Sequence, residues 1–403
     1  MQRPMSTVPR QTRPGRVAAF FVASVLYWAA QYIYVPTLPA YVKSSVASLS
    51  AVGVVLSMYG LWSAILRVPT GIFVDASRRE RPIVVIGFLL SSAGALVMGR
   101  GGSAGALMFG RALTGASTAT WVPVMVMFSS FFPAERMIFA TSLLAASTSV
   151  GQVIATACTG YLNGLGGYSL AFYTGAVLAA CAALIIWAAS ARTESRGLVS
   201  TVSTRSILAV FVRPEVLLPS LTSAVCQFGL WAIVYAFLPL LARQMGASDV
   251  AVSVLLTVNL LANAATNVFT TFRVSAVMRQ RWLLLSFAAF AVGAGVAALA
   301  QSVVGLSCAT IIIGAANGIF YPLLVGLSIE RVDVSHRSTA MGIHQAIYAL
   351  GTFAGPWAGG ILSDALGMRV MFGIMGGFCL PMASALVLLA DRKRRTDLAD
   401  RDS

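Results

Sequence analysis

The chain is expected to fold as an all-α membrane protein, with twelve transmembrane helices in two pseudo-symmetric six-helix bundles. Three observations lead there. Of the 403 residues, 58% are hydrophobic and only 10% charged, where a soluble domain carries roughly 25% charged residues. Apolar runs of about 20 residues, the length of one helical bilayer crossing, recur along the whole chain. Prolines, glycines and arginines of the first half also return in the second at a constant offset of 200.

The apolar runs place spans at 17–41, 50–73, 82–99, 104–128, 138–162, 168–191, 216–242, 250–272, 282–301, 304–328, 339–362 and 368–390. Helix is required, because an open strand would leave backbone groups unpaired in lipid. The N-terminal segment MQRPMSTVPRQTRPGR is basic, but the apolar run behind it reaches Tyr41, too far for a signal-peptide core. Lys43, Arg100, Arg243 and Arg369 fall on one side of this topology, and Arg67 and Arg111 fall inside spans. All other Lys and Arg gather on the side of the two termini, which the positive-inside rule assigns to the cytoplasm. The net charge of +15 therefore reads as topology and not as nucleic-acid binding. The expected organisation is a cytoplasmic tail 1–16, a bundle 17–191, a polar, basic cytoplasmic linker 192–215, a bundle 216–390 and a cytoplasmic tail 391–403. Five cysteines stand singly in apolar runs with no CxxC among them, as small core residues would. No metal, cofactor or enzyme chemistry is expected.

The offset repeat is specific in its punctuation. Ile33, Leu38 and Pro39 meet Ile233, Leu238 and Pro239; Ala51, Val52, Val54 and Leu56 meet Ala251, Val252, Val254 and Leu256. Arg79 and Arg81 meet Arg279 and Arg281, and Gly151, Gly160 and Leu162 meet Gly351, Gly360 and Leu362. Parallel repeats of this kind are an architecture of secondary transporters, whose substrate sits between the halves near the midplane.

Between spans two and three stands Gly71-x-x-x-Asp75-x-x-x-Arg79, with Ala76 and Arg78 at its variable positions. It resembles the signature loop of the major facilitator superfamily. The resemblance implies a cytoplasmic gate: Gly71 allows helices to approach, Asp75 accepts from a helix N-terminus and Arg79 pairs across the gate. Leu107-x-x-x-Arg111-x-x-Thr114-Gly115 resembles the family's buried-arginine motif, which it links to proton movement. Gly351-x-x-x-Gly355-Pro356-x-x-Gly359-Gly360 is similar to the family's antiporter pattern, but it stands in span eleven. Span five holds a degraded copy. The pattern in span eleven reads as a bending gate.

Polar residues inside spans point to the transport path. Asn259, Asn263 and Asn267 lie four apart, on one helix face, and Tyr59, Ser63 and Arg67 occupy the equivalent face of span two. Facing cavity walls and interhelical hydrogen bonds are both compatible with that spacing. Further candidates are Trp28, Gln31 and Tyr34 in span one, Gln227, Trp231 and Tyr235 in span seven, Asn317 and Tyr321 in span ten, and Gln345 and Tyr348 in span eleven. No Asp or Glu lies in mid-span. Coupling candidates are therefore Arg111 and His344, with a hydrogen-bonded structural role as the alternative for His344.

The expected function is secondary active transport of a small organic solute by alternating access across the bacterial plasma (inner) membrane. Efflux of a drug or metabolite leads; uptake or facilitation of a siderophore-like or anionic compound is the alternative. Partners are that small molecule, the lipid bilayer, and protons as the candidate coupling ion. A monomer is expected.

Overall fold

Every regular element among the described residues is helical. The computed structural model describes residues 14–77, 79–133, 136–190, 211–275, 277–333 and 337–402; the side chains of 75, 76, 137, 138, 338 and 393–402 lie outside the description. The first half of the chain forms α1 (Pro14–Tyr32), α2 (Leu38–Ser45), α3 (Leu49–Ser77), α4 (Glu80–Gly99), α5 (Ala104–Thr118), α6 (Trp121–Ser129) and α7 (Met137–Ala189). The second forms α8 (Pro214–Leu230), a π-helical stretch (Trp231–Phe237), α9 (Leu238–Gln244), α10 (Asp249–Arg273), α11 (Arg279–Leu299), α12 (Val303–Glu330), α13 (Arg337–Leu366) and α14 (Met368–Asp402). The face on which α1 begins is the tail face; the opposite one is the far face.

Nine helices among the described residues are long and apolar enough to cross a membrane, by length and composition. One of them, α7, is double. Gly166 and Gly167 leave helical geometry at its middle. Its first arm runs along α1, with Gly151 against Val25 and the Thr159 hydroxyl donating to Ile33 O at 2.7 Å. Its second arm returns, with Phe172 stacked on Tyr34. Two further crossings, α1 with α2 and the polar-rich α13, lie outside the nine, so the total is about twelve.

Helix ends at the far face follow from local chemistry. The first N–H groups of a helix lack intrahelical acceptors, and a short polar side chain supplies one. Ser48, Ser103, Ser248 and Ser302 do this for Ala51, Ala106, Ala251 and Gly305, at 3.0, 3.3, 3.2 and 3.2 Å. The turn inside α7 and the turn from α13 to α14 each need a left-handed residue. Gly167 (φ 68°) and Gly367 (φ 84°) supply it, 200 residues apart. The repeat shows again where α1 breaks before α2 and where the π-helical stretch interrupts the corresponding helix. Such interruptions expose backbone and side chains at the axis of a transporter.

The halves meet through α3 on α13 and α7 on α10, at glycines. A Cβ on Gly53 would lie 2.2 Å from Pro356 O, one on Gly60 2.4 Å from Phe353 N, and one on Gly160 2.4 Å from Val250 Cα. Within the second half, Gly351 and Gly355 seat α13 on α8, 2.0 Å from Ala224 O and 2.2 Å from Phe228 O by the same measure. In lipid there is no hydrophobic drive between helices, so this close packing supplies the association. Buried side chains follow the same division. One cluster joins the far-side portion of the first half to the whole length of the second. Toward the tail face the first half has a cluster of its own around Phe20, Phe88 and Phe128, and a small one seats α13 on α8. Two expectations change here. A Cβ on Gly71 would meet nothing within 4 Å, so in this state the glycine makes no close helix approach. Of the cysteines only Cys226 and Cys379 are buried; Cys158, Cys181 and Cys308 are exposed on helix surfaces, where lipid solvates a thiol as readily as a core does.

Gly351→Val forces a side chain into the Ala224 carbonyl, and overpacking of this kind costs about 1–3 kcal/mol or more; its expected result is loss of a monodisperse peak on size exclusion. Gly60→Val disturbs only the contact between halves. It should leave the protein monodisperse and raise thiol labelling of a single cysteine at Val52, and unchanged labelling would show that the contact does not hold the far side shut.

Candidate functional site

Aromatic rings occupy the middle of the molecule. Tyr59 of α3 stacks on Trp231 across the halves, centroids 5.3 Å apart and planes at 23°. Trp231 packs on Tyr235 at 4.7 Å, and Tyr235 meets Tyr32 of α1 edge-on at 6.2 Å. Trp28 continues the chain to Tyr32 at 6.1 Å and to Trp121 at 5.0 Å. Tyr321 and Tyr348 form a separate pair at 6.0 Å. The layer sits at the interrupted helices, because the breaks at 33–37 and 231–237 turn these rings inward.

Two arginines flank the layer. Arg111 is 3% exposed, and its guanidinium carbon lies 4.5 Å from the Tyr59 ring centroid, with Tyr34 and Tyr32 as further neighbours. A desolvated cation–π contact contributes about 2 kcal/mol, less than the cost of burying the charge. Arg67 is 8% exposed. Its Nη1 donates across the halves to Gln345 Oε1 at 2.7 Å, and its Nη2 donates to Thr118 O at 3.4 Å. Among the described residues neither arginine has a carboxylate partner; ion pairs form elsewhere, as at Arg243–Asp249 and Arg279–Glu330. Unused hydrogen-bonding atoms surround them: Arg67 Nε, Arg111 Nε, Trp28 Nε1, Gln31 Oε1 and Asn317 Oδ1.

Several predicted cavity residues are engaged within one half. Asn259 is buried, and its amide donates to Thr310 O at 2.7 Å, tying α10 to α12. Ser63 accepts from Thr118 at 2.9 Å, and Tyr34 stacks on Phe172. These three make packing contacts, since in lipid a polar side chain takes the nearest free carbonyl or hydroxyl. Asn263 is half-buried, with its carbonyl against Gly318. Gln31 donates to Tyr27 and to Thr114 O, and Gln227 is buried. His344 is fully buried, its Nδ1 3.1 Å from Ser220 Oγ. Ser220 makes a shorter bond, 2.6 Å, to Val216 O. The hydroxyl proton belongs to that bond, so Nδ1–H donates to Ser220 and the arrangement suits a neutral imidazole.

The far face carries contacts between halves that sequence reasoning missed, chief among them those of Asp364 and Asp249. Asp364, at the end of α13, accepts from Leu49 N at 2.9 Å, Ser50 N at 2.8 Å and Ser50 Oγ at 2.5 Å. A carboxylate there meets both the free N–H groups and the positive end of α3. Asp249, at the start of α10, pairs with Arg243 at 3.2 Å and accepts from Asn163 Nδ2 at 3.2 Å. The one available signal was the repeat, since Leu49 and Asp249 are offset partners. At the tail face, Arg79 is exposed and its described bond is local, N–H to Ser77 Oγ at 3.3 Å. The Asp75 side chain lies outside the described residues. Gly359 packs on Phe237 and Ala232, and Pro356 presents its carbonyl to Gly53. A separate cavity of about 280 Å³ opens among α8, α11, α12 and α14 near Arg279 and Glu330, off the axis between the halves.

Hydrogen bonds between the halves among the described residues run from the far face to the Arg67–Gln345 level. Interrupted helices, a repeat and a polar centre between the halves are the features of a secondary transporter. The chain belongs to the Major Facilitator Superfamily, whose family model matches residues 20–246 and 220–403. It is a transporter and not an enzyme. Its backbone is similar to a bacterial homolog of the human lysosomal transporter Spinster, inward-facing and unoccupied, with TM-score 0.78 and 16% identity over 96% of this chain and 98% of that one. The nucleoside transporter NupG gives 0.73 and 14% over 93% and 98%, and the human organic anion transporter MFSD10 gives 0.70 and 15% over 94% and 100%. Multidrug resistance protein Stp of Mycobacterium tuberculosis is 30% identical over 131 residues, 30% of this chain and 24% of the length of Stp.

Asp364 lies beyond the end of its span. Slight burial acts upward on its carboxyl, but the Ser50 hydroxyl, the Ser50 and Leu49 N–H groups and the charge of Lys43 outweigh it and hold the pKa below its ordinary value. A depressed pKa means that the stabilisation is complete above the unfolded value, about 3.9, and is lost as pH falls through the lowered one. Labelling of a single cysteine at Leu56, in a chain without its native five and with each rate divided by that of a free thiol at the same pH, should therefore be flat from pH 5 to 8. Asp364→Asn should raise it several-fold, and an unchanged rate would reduce Asp364 to a solvated end group.

Proposed function

We propose that the chain is an efflux permease of the bacterial plasma membrane that moves a small organic solute by alternating access. The observation that carries this is the line of hydrogen bonds between the halves that runs from Asp364 and Asp249 at the far face to Arg67–Gln345. With the basic tail face in the cytoplasm, this is the state that receives solute from inside. The bundles 17–191 and 216–390 rock about the aromatic layer, joined by 192–215, within a single chain. Gly71, Asp75 and Arg79 close the tail face in the alternate state, while Gly351, Gly355, Pro356 and Gly359 let α13 slide on α8.

Export is supported by the partial similarity to Stp, a multidrug resistance protein. Uptake of an anionic or siderophore-like compound is the second reading, and the two buried guanidiniums favour its charge. Uptake into inverted vesicles against right-side-out vesicles, over a compound panel, separates the directions. Accumulation only in inverted vesicles supports export; accumulation only in right-side-out vesicles reverses it.

Proton coupling through His344 is not part of this reading, because the ring is fully buried, its Nδ1 is bonded to Ser220, and no described carboxylate pairs with it. His344→Gln should retain concentrative transport with an unaltered profile between pH 6 and 7.5. Loss of accumulation with binding intact would make His344 the proton carrier.

A further inference from the structure

We propose that the central site takes an organic anion with a flat aromatic body, its charged group met first by Arg67 and then by Arg111. This deepens the transport reading and rests on it. Depth along the helices orders the groups. Arg111 lies 7 residues into α5 and Arg67 lies 18 residues into α3, roughly 11 and 27 Å from the far-face ends at 1.5 Å per residue. Tyr59, roughly 15 Å in by the same measure, stands between them with Trp231 stacked on it. A solute entering from the tail side reaches Arg67 and Gln345 first. The Tyr59–Trp231 pair then separates it from Arg111, which lies against the Tyr59 ring.

The chemistry selects the charge. Both guanidiniums are buried without a carboxylate partner among the described residues. A cation would find two like charges and no acid to offset them. An anion would pair with both in turn, in bonds stronger than those to neutral oxygens. The rings select the body, because Tyr59, Trp231, Tyr235 and Tyr32 offer faces and edges for stacking.

The same geometry links binding to movement. Arg67 holds the neutral amide oxygen of Gln345 across the halves. A carboxylate is the better acceptor and displaces it. Displacement removes the contact between halves nearest the tail face, so the α3–α13 line is freed at that end only when an anion is present. A neutral or cationic solute leaves the Arg67–Gln345 bond in place.

The test is calorimetric titration of the purified full chain in nanodiscs with three probes of one shape: 2-naphthoate, 2-naphthamide and 2-naphthylmethylammonium. Naphthoate should bind at least about tenfold more tightly than the amide, with no measurable heat from the ammonium. Arg67→Gln and Arg111→Gln should each erase that preference, and Arg67→Lys should keep part of it. Gln345→Leu removes the competing acceptor and should tighten naphthoate binding, a readout that survives if the arginine variants fail to fold. Equal binding of the three probes, a preserved preference in monodisperse Arg→Gln variants, or weaker binding in Gln345→Leu would overturn the proposal. Full competition by equimolar chloride or inorganic phosphate would show a simple-anion site and overturn its organic part. If the amide or ammonium is transported instead, the transport reading stands without this one. If no solute changes labelling at either face, the transport reading itself fails.

Discussion

α3 and α13 touch backbone to backbone because glycine stands at each crossing point. Gly53 lies under the Pro356 carbonyl, Gly60 against Phe353, and Gly360 against Leu49 and Ser50. No side chain fits at these places. In a bilayer such contact is what replaces the hydrophobic drive that joins helices in water. Because it is short-ranged, it acts fully or hardly at all: parting the helices by an ångström or two forfeits much of it. The line therefore behaves as a closed or open seam, and the aromatic layer, the Asp364 cap and the Arg67–Gln345 bond all have their geometry from it.

Lipid also explains how the polar groups are distributed. With no water in the hydrocarbon, a side-chain amide or hydroxyl binds a nearby carbonyl or hydroxyl of its own half, as Asn259 does with the Thr310 carbonyl and Ser63 with the Thr118 hydroxyl. Arginine is different. It carries a charge with several donors, and one carbonyl does not satisfy it. Arg67 reaches across to the other half, and Arg111 rests on an aromatic face. The cost of keeping two such groups is several kcal/mol each, which makes them the strongest pointers to chemistry in a chain with no mid-span acid.

Charge at the far face has another use. The carboxylates of Asp364 and Asp249 stand where helices begin, and both belong to the second half while touching the first. Helix N-termini attract carboxylates in any protein. Here the cap at Asp364 lies between the two halves, and Asp249 meets the Asn163 amide across the same face.

Much of this molecule is written in the order of its residues. Span length, basic flanks and the offset of 200 follow from local composition, and so do the serine caps and the turn glycines at 167 and 367. Arg67, Arg111, Tyr59 and Trp231 were also legible, since a charge or ring inside an apolar run is conspicuous whatever the fold. Tertiary structure decided which polar residues face which neighbours. Asn259 and Asn263 share one helix face, yet one is spent on Thr310 and the other is half-buried. Asp364 has its partners only because the start of α3 lies against it, and Gly71, which the signature loop makes a point of helix approach, stands open in this state. The physical reason is range: helix periodicity and bilayer thickness act within a segment, whereas a hydrogen bond or a glycine contact exists only once two segments, here more than three hundred residues apart in sequence for Leu49 and Asp364, lie within a few ångströms.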